Sequence, residues 1–293
     1  MLCGMSRQAH FKMLQRRLQE QQKSVLYIGM MEQVRQLHPG MGLRTMYAML
    51  QPEGIGRDHF IALGLQEGFR LQSIEKQVRT TYSVKSNRYR NLLAEAYFDD
   101  INQLWSSDIT YYLLYDQFFY IVFIMDVYSR RILGYSLADN MRAENNVRAL
   151  QQALKTRGIK DYDGRLIHHS DRGAQYISDA YTDLLEQYGI RISMCNEVYE
   201  NTHIERINDT IKNQYLRRWN IKSTKELACR LSEAIVAYNE LRPHLSLGKL
   251  SPVQYEKELE KIEKVKRKKM KIFTMQLNNK HKPHIQLDLF KQV

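Results

Sequence analysis

Cysteine is scarce in this chain: Cys3, Cys195 and Cys229 are the three present among 293 residues, with no CxxC pair and no Cys/His cluster. That pattern excludes a disulfide framework and a structural zinc site, and it fits a reducing cytoplasm. Long apolar runs are also missing. No stretch approaches the ~20 apolar residues that cross a bilayer, and the N-terminal MLCGMSRQAHFK lacks the apolar core of a signal peptide, so no membrane partner is expected. No internal repeat is visible. Acidic residues are outnumbered, 32 Asp and Glu against 44 Lys and Arg, for a formal net charge of +12 and a pI near 9.5. The excess favours an anionic polymer as partner, although membrane-surface proteins and many plain enzymes share it. What remains, 43% hydrophobic and 26% charged residues, is ordinary globular composition for one or two domains.

Along the chain, residues 1–75 read as helical. Phe11, Leu14 and Leu18, then Val25, Ile28, Met31, Val34 and Leu37, keep a three-to-four spacing. Residues 45–50 continue a helix, Gly54 and Gly56 break it, and 57–67 form another with Phe60, Ile61 and Leu65 on one face. Two short helices around a glycine-containing turn suit a helix-turn-helix, which would place Arg57, Asp58 and His59 at the start of a groove-reading helix. A helical bundle with a solvated basic face fits the same spacing. Residues 76–98 read as a linker. Its segment KQVRTTYSVKSNRYRN mixes Lys85 and Arg88 with Tyr82 and Tyr89, suiting either a phosphate backbone or a solvated strap.

Residues 99–257 are mixed. Strands are expected at 109–115, 118–128 and 130–137, then a helix over 142–157, a strand at 165–168, a helix over 178–188, a strand at 191–194 and helices over 201–219 and 224–241. Strands followed by alternating helices and strands predict an α/β domain with a mixed sheet. The tail, 258–293, opens with the dense positive run Lys264, Lys266, Arg267, Lys268, Lys269 and Lys271, a composition that is usually solvated or disordered and can adhere to nucleic acid.

Three acidic residues carry the chemistry: Asp108 in LWSSDIT, Asp171 in HHSDRGAQY and Glu205 in YENTHIERINDTIK. Carboxylates brought together from distant positions repel one another unless a cation neutralises them. A divalent metal such as Mg²⁺ takes a few carboxylates plus water and substrate phosphate, and a pair of such ions can drive in-line displacement at phosphorus.

The ordered motifs LWSSDITYY, FYIVFIMDVYSRRILGYSL, HHSDRGAQYIS, GIRISM, YENTHIERINDTIK and AYNELRPHLSLGKLSPVQY resemble the catalytic domain of DDE transposases of insertion sequence family three, relatives of retroviral integrases. SRQAHFK and HPGMGLRTMYAML resemble the helix-turn-helix-like region preceding that domain. The resemblance implies a ribonuclease H-like catalytic domain behind a helical DNA-binding module, with Mg²⁺ or Mn²⁺, two ions together, at Asp108, Asp171 and Glu205. It further implies nicking and joining of DNA at the terminal inverted repeats of a mobile element, and a homo-oligomer. An upstream-frame product or fusion is implied as partner, because the family's upstream frame supplies a further DNA-binding segment and a zipper. The expected location is the cytoplasm, on the nucleoid when bound to DNA. A nuclease of the same fold without strand joining, or an inactive DNA-binding copy, are the alternatives.

Asp171 and Glu205 stand 34 positions apart, two fewer than the family's usual interval, which leaves Glu197 and Glu200 as rivals for the third acid. Glu205 is preferred because YEN precedes it and Arg206, Asn208 and Lys212 follow as on the matching helix. Asn201 is read as a helix N-cap or as a group that orients a ligand or touches DNA. His169 serves a structural hydrogen bond or positions phosphate. Arg172 holds the scissile phosphate or pairs with a carboxylate. Lys212 is read as a DNA contact or as a solvated helix lysine, in a stripe that Arg217 and Arg218 extend, and Asp126 is read as structural.

Overall fold

The computed structural model describes residues 6–74, 88–93, 96–195 and 198–272. Lys85, Glu197 and most of the basic linker lie outside the described residues. Helix α1 (Arg7–Leu37) is followed by α2 (Leu43–Leu50) and α3 (Arg57–Gln66). Ser6 caps α1, its hydroxyl accepting from the Ala9 N–H. Tyr27, Met31 and Val34 of α1 meet Met41, Leu43, Met46 and Phe60 in a small core. The expected apolar face of α1 is therefore only partly used. Phe11, Leu14, Leu18, Val25 and Leu37 are exposed, because two short helices cover one end of a 31-residue helix.

Next come β1 (Tyr97–Phe98), β2 (Leu104–Leu114), β3 (Gln117–Asp126), β4 (Ile132–Ala138), α4 (Ala143–Arg157), β5 (Ile167–Ser170), α5 (Asp179–Gln187) and β6 (Arg191–Met194). Then α6 (Thr202–Asp209), α7 (Thr224–Val236) and α8 (Pro252–Glu260) precede β7 (Met270–Lys271). The main sheet runs β4-β3-β2-β5-β6. Strands β2, β3 and β4 are antiparallel neighbours, while β5 joins β2 and β6 in parallel. The strand expected to begin at 109 is β2, which begins at Leu104, so Asp108 sits inside it.

Period-two alternation builds two cores from one sheet. Phe119, Ile121, Phe123 and Met125 of β3 face Ile204, Ile207, Leu227 and Leu231 on α6 and α7. Val122 and Ile124 face Ala149, Leu150, Tyr181 and Leu185 on α4 and α5. This sheet order between two helical layers is a ribonuclease H-like α/β arrangement.

Asp126, fully buried, accepts from the backbone N–H groups of Asn102, Tyr128 and Ser129 and from Arg157. Arg157 also holds Glu256 of α8, whose other partners are Ser129 and Arg131. Asp126 is thus a structural anchor, as its sequence context suggested. The start of the basic tail also departs from expectation. Tyr97 and Phe98 pair with Lys271 and Met270, Ile272 is buried in the core, and Arg267 salt-bridges Asp100. Hydrophobic burial and that ion pair hold this segment against the domain despite its charge.

The helical module docks on the far end of α6. The helix widens into a π turn at Thr210–Tyr215, where the Gly40 N–H donates to the Gln214 carbonyl at 2.8 Å and His38 Nδ1 bonds the Tyr215 hydroxyl at 2.6 Å. A side chain at Gly40 would collide with the Gln214 backbone. Glycine is required there by proximity.

Burial holds several histidines neutral. His168 is depressed to about 3 and His38 to about 4, in each case mainly by loss of solvation. The unfolded chain takes up protons near pH 6.5 that the folded chain refuses, so their contribution is present above that value and is lost as pH falls toward 4 and below. Urea denaturation at pH 7.5 and pH 5 is expected to show lower stability at pH 5, and His168→Phe should flatten the difference. Equal stability at the two values, with the wild-type chain, contradicts this account.

Candidate active site

The site is assembled along one seam. Alternate residues of β2 on the α6 side, Ser106, Asp108, Thr110 and Tyr112, each meet a residue of the helix laid across them. The Ser106 hydroxyl donates to Asn201 Oδ1, and Asn201 Nδ2 donates to the Ser107 carbonyl at 3.2 Å. Asn208 Nδ2 donates to Asp108 Oδ2 at 2.7 Å. Lys212 Nζ donates to Thr110 Oγ1 at 3.2 Å, and the Tyr112 hydroxyl donates to the Leu216 carbonyl at 3.3 Å. From Asn208 to Lys212 to Leu216 the helix advances four residues, about 6 Å, for every two strand residues, about 6.7 Å, whereas seven helical residues separate Asn201 from Asn208. Glu205 is in the first turn of α6, and helical periodicity puts it on the edge shared by Asn201 and Asn208.

Asp171 reaches the seam from β5. The parallel pairing matches Trp105 with His168 and Ser106 with His169. That pairing ends two residues before Asp108 on one side and two before Asp171 on the other. Asp171 follows the last residue of β5, and its Oδ1 accepts from the Gly173 N–H at 3.0 Å.

Two buried groups feel the combined negative charge. The Cys195 thiol is pushed up by burial first, and then by Glu200, Asp171, Asp108 and Glu205. Burial likewise raises the Tyr176 phenol, helped by Asp171 and Asp108. The three predicted acids and Glu200 therefore share one neighbourhood. Glu200 is itself buried.

The acids offer carboxylate oxygens, the donor type a hard divalent cation selects. Asn208 Oδ1 is buried without a hydrogen-bond partner, leaving one further oxygen beside Asp108. Among the described residues, no three His, Cys, Asp or Glu side chains already close on one point as a metal cage. A cation would have to draw them together.

Asn201 occupies the N-cap position of α6 but makes no side-chain cap. Capping needs extended backbone, whereas Asn201 has φ −107 and ψ 16. Its amide instead ties the helix to β2. His169 is structural, with Nδ1 on Ser193 Oγ at 2.9 Å and Nε2 on Cys195 Sγ at 3.1 Å. Arg172 Nε donates to the Cys195 carbonyl at 2.7 Å.

Lys212 does not lie on a solvated stripe. Its ammonium stands 4.8 Å from the Tyr111 ring centre, and burial and Arg217 lower its pKa against the opposing pull of Asp209 and Asp108. The helix ends in the turn Leu216–Arg218. There Arg218 turns to the helical module, donating to the Gln72 carbonyl, while Arg217 is partly buried. Arg88 donates to the Ile177 carbonyl at 3.0 Å. Arg57 and His59 are exposed at the start of α3, and Arg57 pairs with Asp58. These two stand apart from the acidic seam. Ser106, Tyr176 and Cys195 carried no distinguishing signal in the sequence, whereas Asn208 could be found three residues after Glu205 on one helical edge.

A carboxylate on a central strand of a ribonuclease H-like sheet, another just past a strand end and a glutamate-bearing helix laid across them fit the class of nucleic-acid enzymes that transfer phosphoryl groups. The integrase core domain family matches residues 100–198, and a second integrase core domain family matches residues 188–252. The chain is 32% identical over 221 residues to the 31 kDa protein of insertion element IS600 of Shigella sonnei, spanning 73% of this chain and 80% of that protein. It is 30% identical over 225 residues to the transposase for insertion sequence element IS629 of Shigella sonnei, 75% of each chain. Transposase InsF for insertion sequence IS3A of Escherichia coli K12 is 31% identical over 170 residues, 57% of this chain and 58% of that one. The catalytic core domain of HTLV-2 integrase in complex with magnesium is similar at 20% identity and a TM-score of 0.44, covering 57% of this chain and 99% of that one. The chain belongs to the DDE transposases of insertion sequence family three, and its activity is that of a DNA-acting transposase of the integrase type. No helix among the described residues is long and apolar enough to cross a membrane.

The Asn201 tie yields a test. Asn201→Ala removes two buried hydrogen bonds and should cost about 1–3 kcal/mol in chemical denaturation. With α6 less firmly seated, DNA cleavage should slow while DNA affinity stays within twofold. Unchanged cleavage in a destabilised variant would separate the tie from activity.

Proposed function

We propose that Asp108, Asp171 and Glu205 hold divalent metal, Mg²⁺ or Mn²⁺, and that the chain nicks and joins DNA strands at the terminal inverted repeats of an insertion sequence. The observation that carries this reading is the seam. In its support, the β2–β5 pairing ends two residues before Asp108 and Asp171, and Asn208, on the helix that carries Glu205, contacts Asp108. When bound, the cations supply activation of the attacking oxygen and stabilisation of the leaving one.

The chain's own residues hold the geometry. Asn201 and Asn208 fix α6 against β2, Gly173 orients Asp171, and buried His169 supports the end of β5. Glu205 is preferred to Glu200 because it shares the helix edge that touches Asp108, while Glu200 precedes the helix in the turn Val198–Asn201. Arg172, Lys212 and Arg217 are proposed to steer the DNA backbone near the seam. Arg57 and His59 on α3, with Arg88 and Lys85 of the linker, are proposed to engage element ends. The working form is proposed to be an oligomer or a fusion with an upstream-frame product, localised in the cytoplasm on the nucleoid.

With a labelled oligonucleotide carrying the element end, Mg²⁺ or Mn²⁺ should support 3′ nicking and EDTA should stop it. Asp171→Asn is expected to reduce nicking at least a thousandfold while binding stays within a few-fold, and Glu205→Gln should match it where Glu200→Gln does not. Persistent nicking by Asp171→Asn would falsify the site assignment. A separate expectation concerns assembly: the isolated chain should bind inverted repeats weakly and with little preference over random DNA in a gel-shift titration. Tight, sequence-selective binding by the chain alone would remove the need for an upstream partner.

A further inference from the structure

Turning about 100° per residue, α6 presents a second flank that the acidic seam does not use. His203, Arg206 and Thr210 on that flank line a cavity of about 530 Å³, together with Arg130 after β3 and Arg242 and His244 beyond α7. Thr45, from α2, closes it on the helical-module side. Asp209 is the one acidic residue in the lining. No ion pair of the described residues involves Arg130, Arg206 or Arg242.

Two of the lining side chains hold under-satisfied polar atoms. Arg242 spends Nη2 on Gln214 Oε1 at 2.6 Å, but its Nη1 and His244 Nε2 are buried without hydrogen-bond partners. Burial lowers the Arg130 pKa, Tyr238 opposes that, and Arg206 lowers it further. Clustered, poorly compensated guanidinium groups are costly to enclose unless an anion joins them. Arginine forks match phosphate oxygens, and Thr45, Thr202 and Ser246 add hydroxyls around the same cavity.

We propose that this cavity is a second phosphate site, which grips a backbone phosphodiester of DNA away from the carboxylates and does so jointly from the core and the helical module. The proposal rests on the transposase reading for the source of the phosphate. A phosphodiester held there would couple the placement of the N-terminal helices to that of α6, since both line one site.

The test uses the full chain, first in thermal unfolding with sodium phosphate or sodium chloride at matched ionic strength. Phosphate should raise the wild-type Tm, as a ligand of the native state does, and the rise should vanish in Arg206→Gln and Arg130→Gln. In chloride, Arg206→Gln should unfold at or above the wild-type temperature, because it relieves repulsion. A lower Tm there would mark Arg206 as a structural support and overturn the proposal.

The second measurement is the salt dependence of binding to a duplex oligonucleotide. Each phosphate contact contributes a slope of about 0.9 in log K against log salt. Arg206→Gln should lower the slope by about that amount, and Arg206→Lys should restore most of it. Loss of the phosphate effect with an unchanged slope assigns the site to a free phosphate and overturns the DNA assignment. No phosphate effect in the wild type overturns the site itself. Asp171→Asn should lose nicking yet keep both the phosphate shift and the slope, so failure of the catalytic assignment and failure of this site give different results.

Discussion

Everything functional in this molecule depends on the crossing of α6 over β2. A strand offers a side chain to one face every second residue and a helix offers one to an edge about every fourth, and these repeats span nearly the same length. Three polar contacts exploit the match, from Asp108 with Asn208 to Tyr112 with Leu216, and Ser106 with Asn201 ties down the start of the helix. Four residues overshoot a 3.6-residue turn by about 40°. The wide turn at Thr210–Tyr215 offsets that drift, and Lys212 and Leu216 stay over the strand. Such π turns often accompany functional sites.

The same helix joins three parts of the molecule. One edge carries Glu205 and Asn208 toward β2, its apolar side, Ile204, Ile207 and Ile211, fills the core, and the remaining flank carries Arg206 into the basic cavity. At its end the Gln214 carbonyl receives the Gly40 N–H. Behind the sheet, Arg157 with Asp126 and Glu256 locks α8 to the turn after β3. Removing one member of such a buried set leaves an unpaired charge, which is costly. This explains why a basic segment beyond α8 can still pack: its neighbours are rigidly placed.

Much of this was legible from residues alone. The β3 and β4 strands, α4, α5 and β6 fall within a few residues of their apolar patterns, since burial on both faces of a sheet leaves strong local signals. The acids stood out through their motifs. The N-terminal face of α1 misled, because periodicity reports which residues form a stripe and says nothing of whether a partner covers it. Asn201 misled for a related reason. Its residue type suits a cap, but the turn before it denies the extended backbone that a cap needs.

The sequence by itself determined the alternation that makes the sheet, the helical stripes, the excess positive charge and the motifs that carry the candidate acids, because each of these is written in neighbouring residues. Tertiary structure alone decided which partners meet. Asn208 finds Asp108 across 100 positions, Ser106 and His169 become neighbours through a parallel register, and three arginines from separate segments line one cavity. Such encounters depend on how elements cross, and a periodic pattern fixes the face of an element without fixing what lies opposite it.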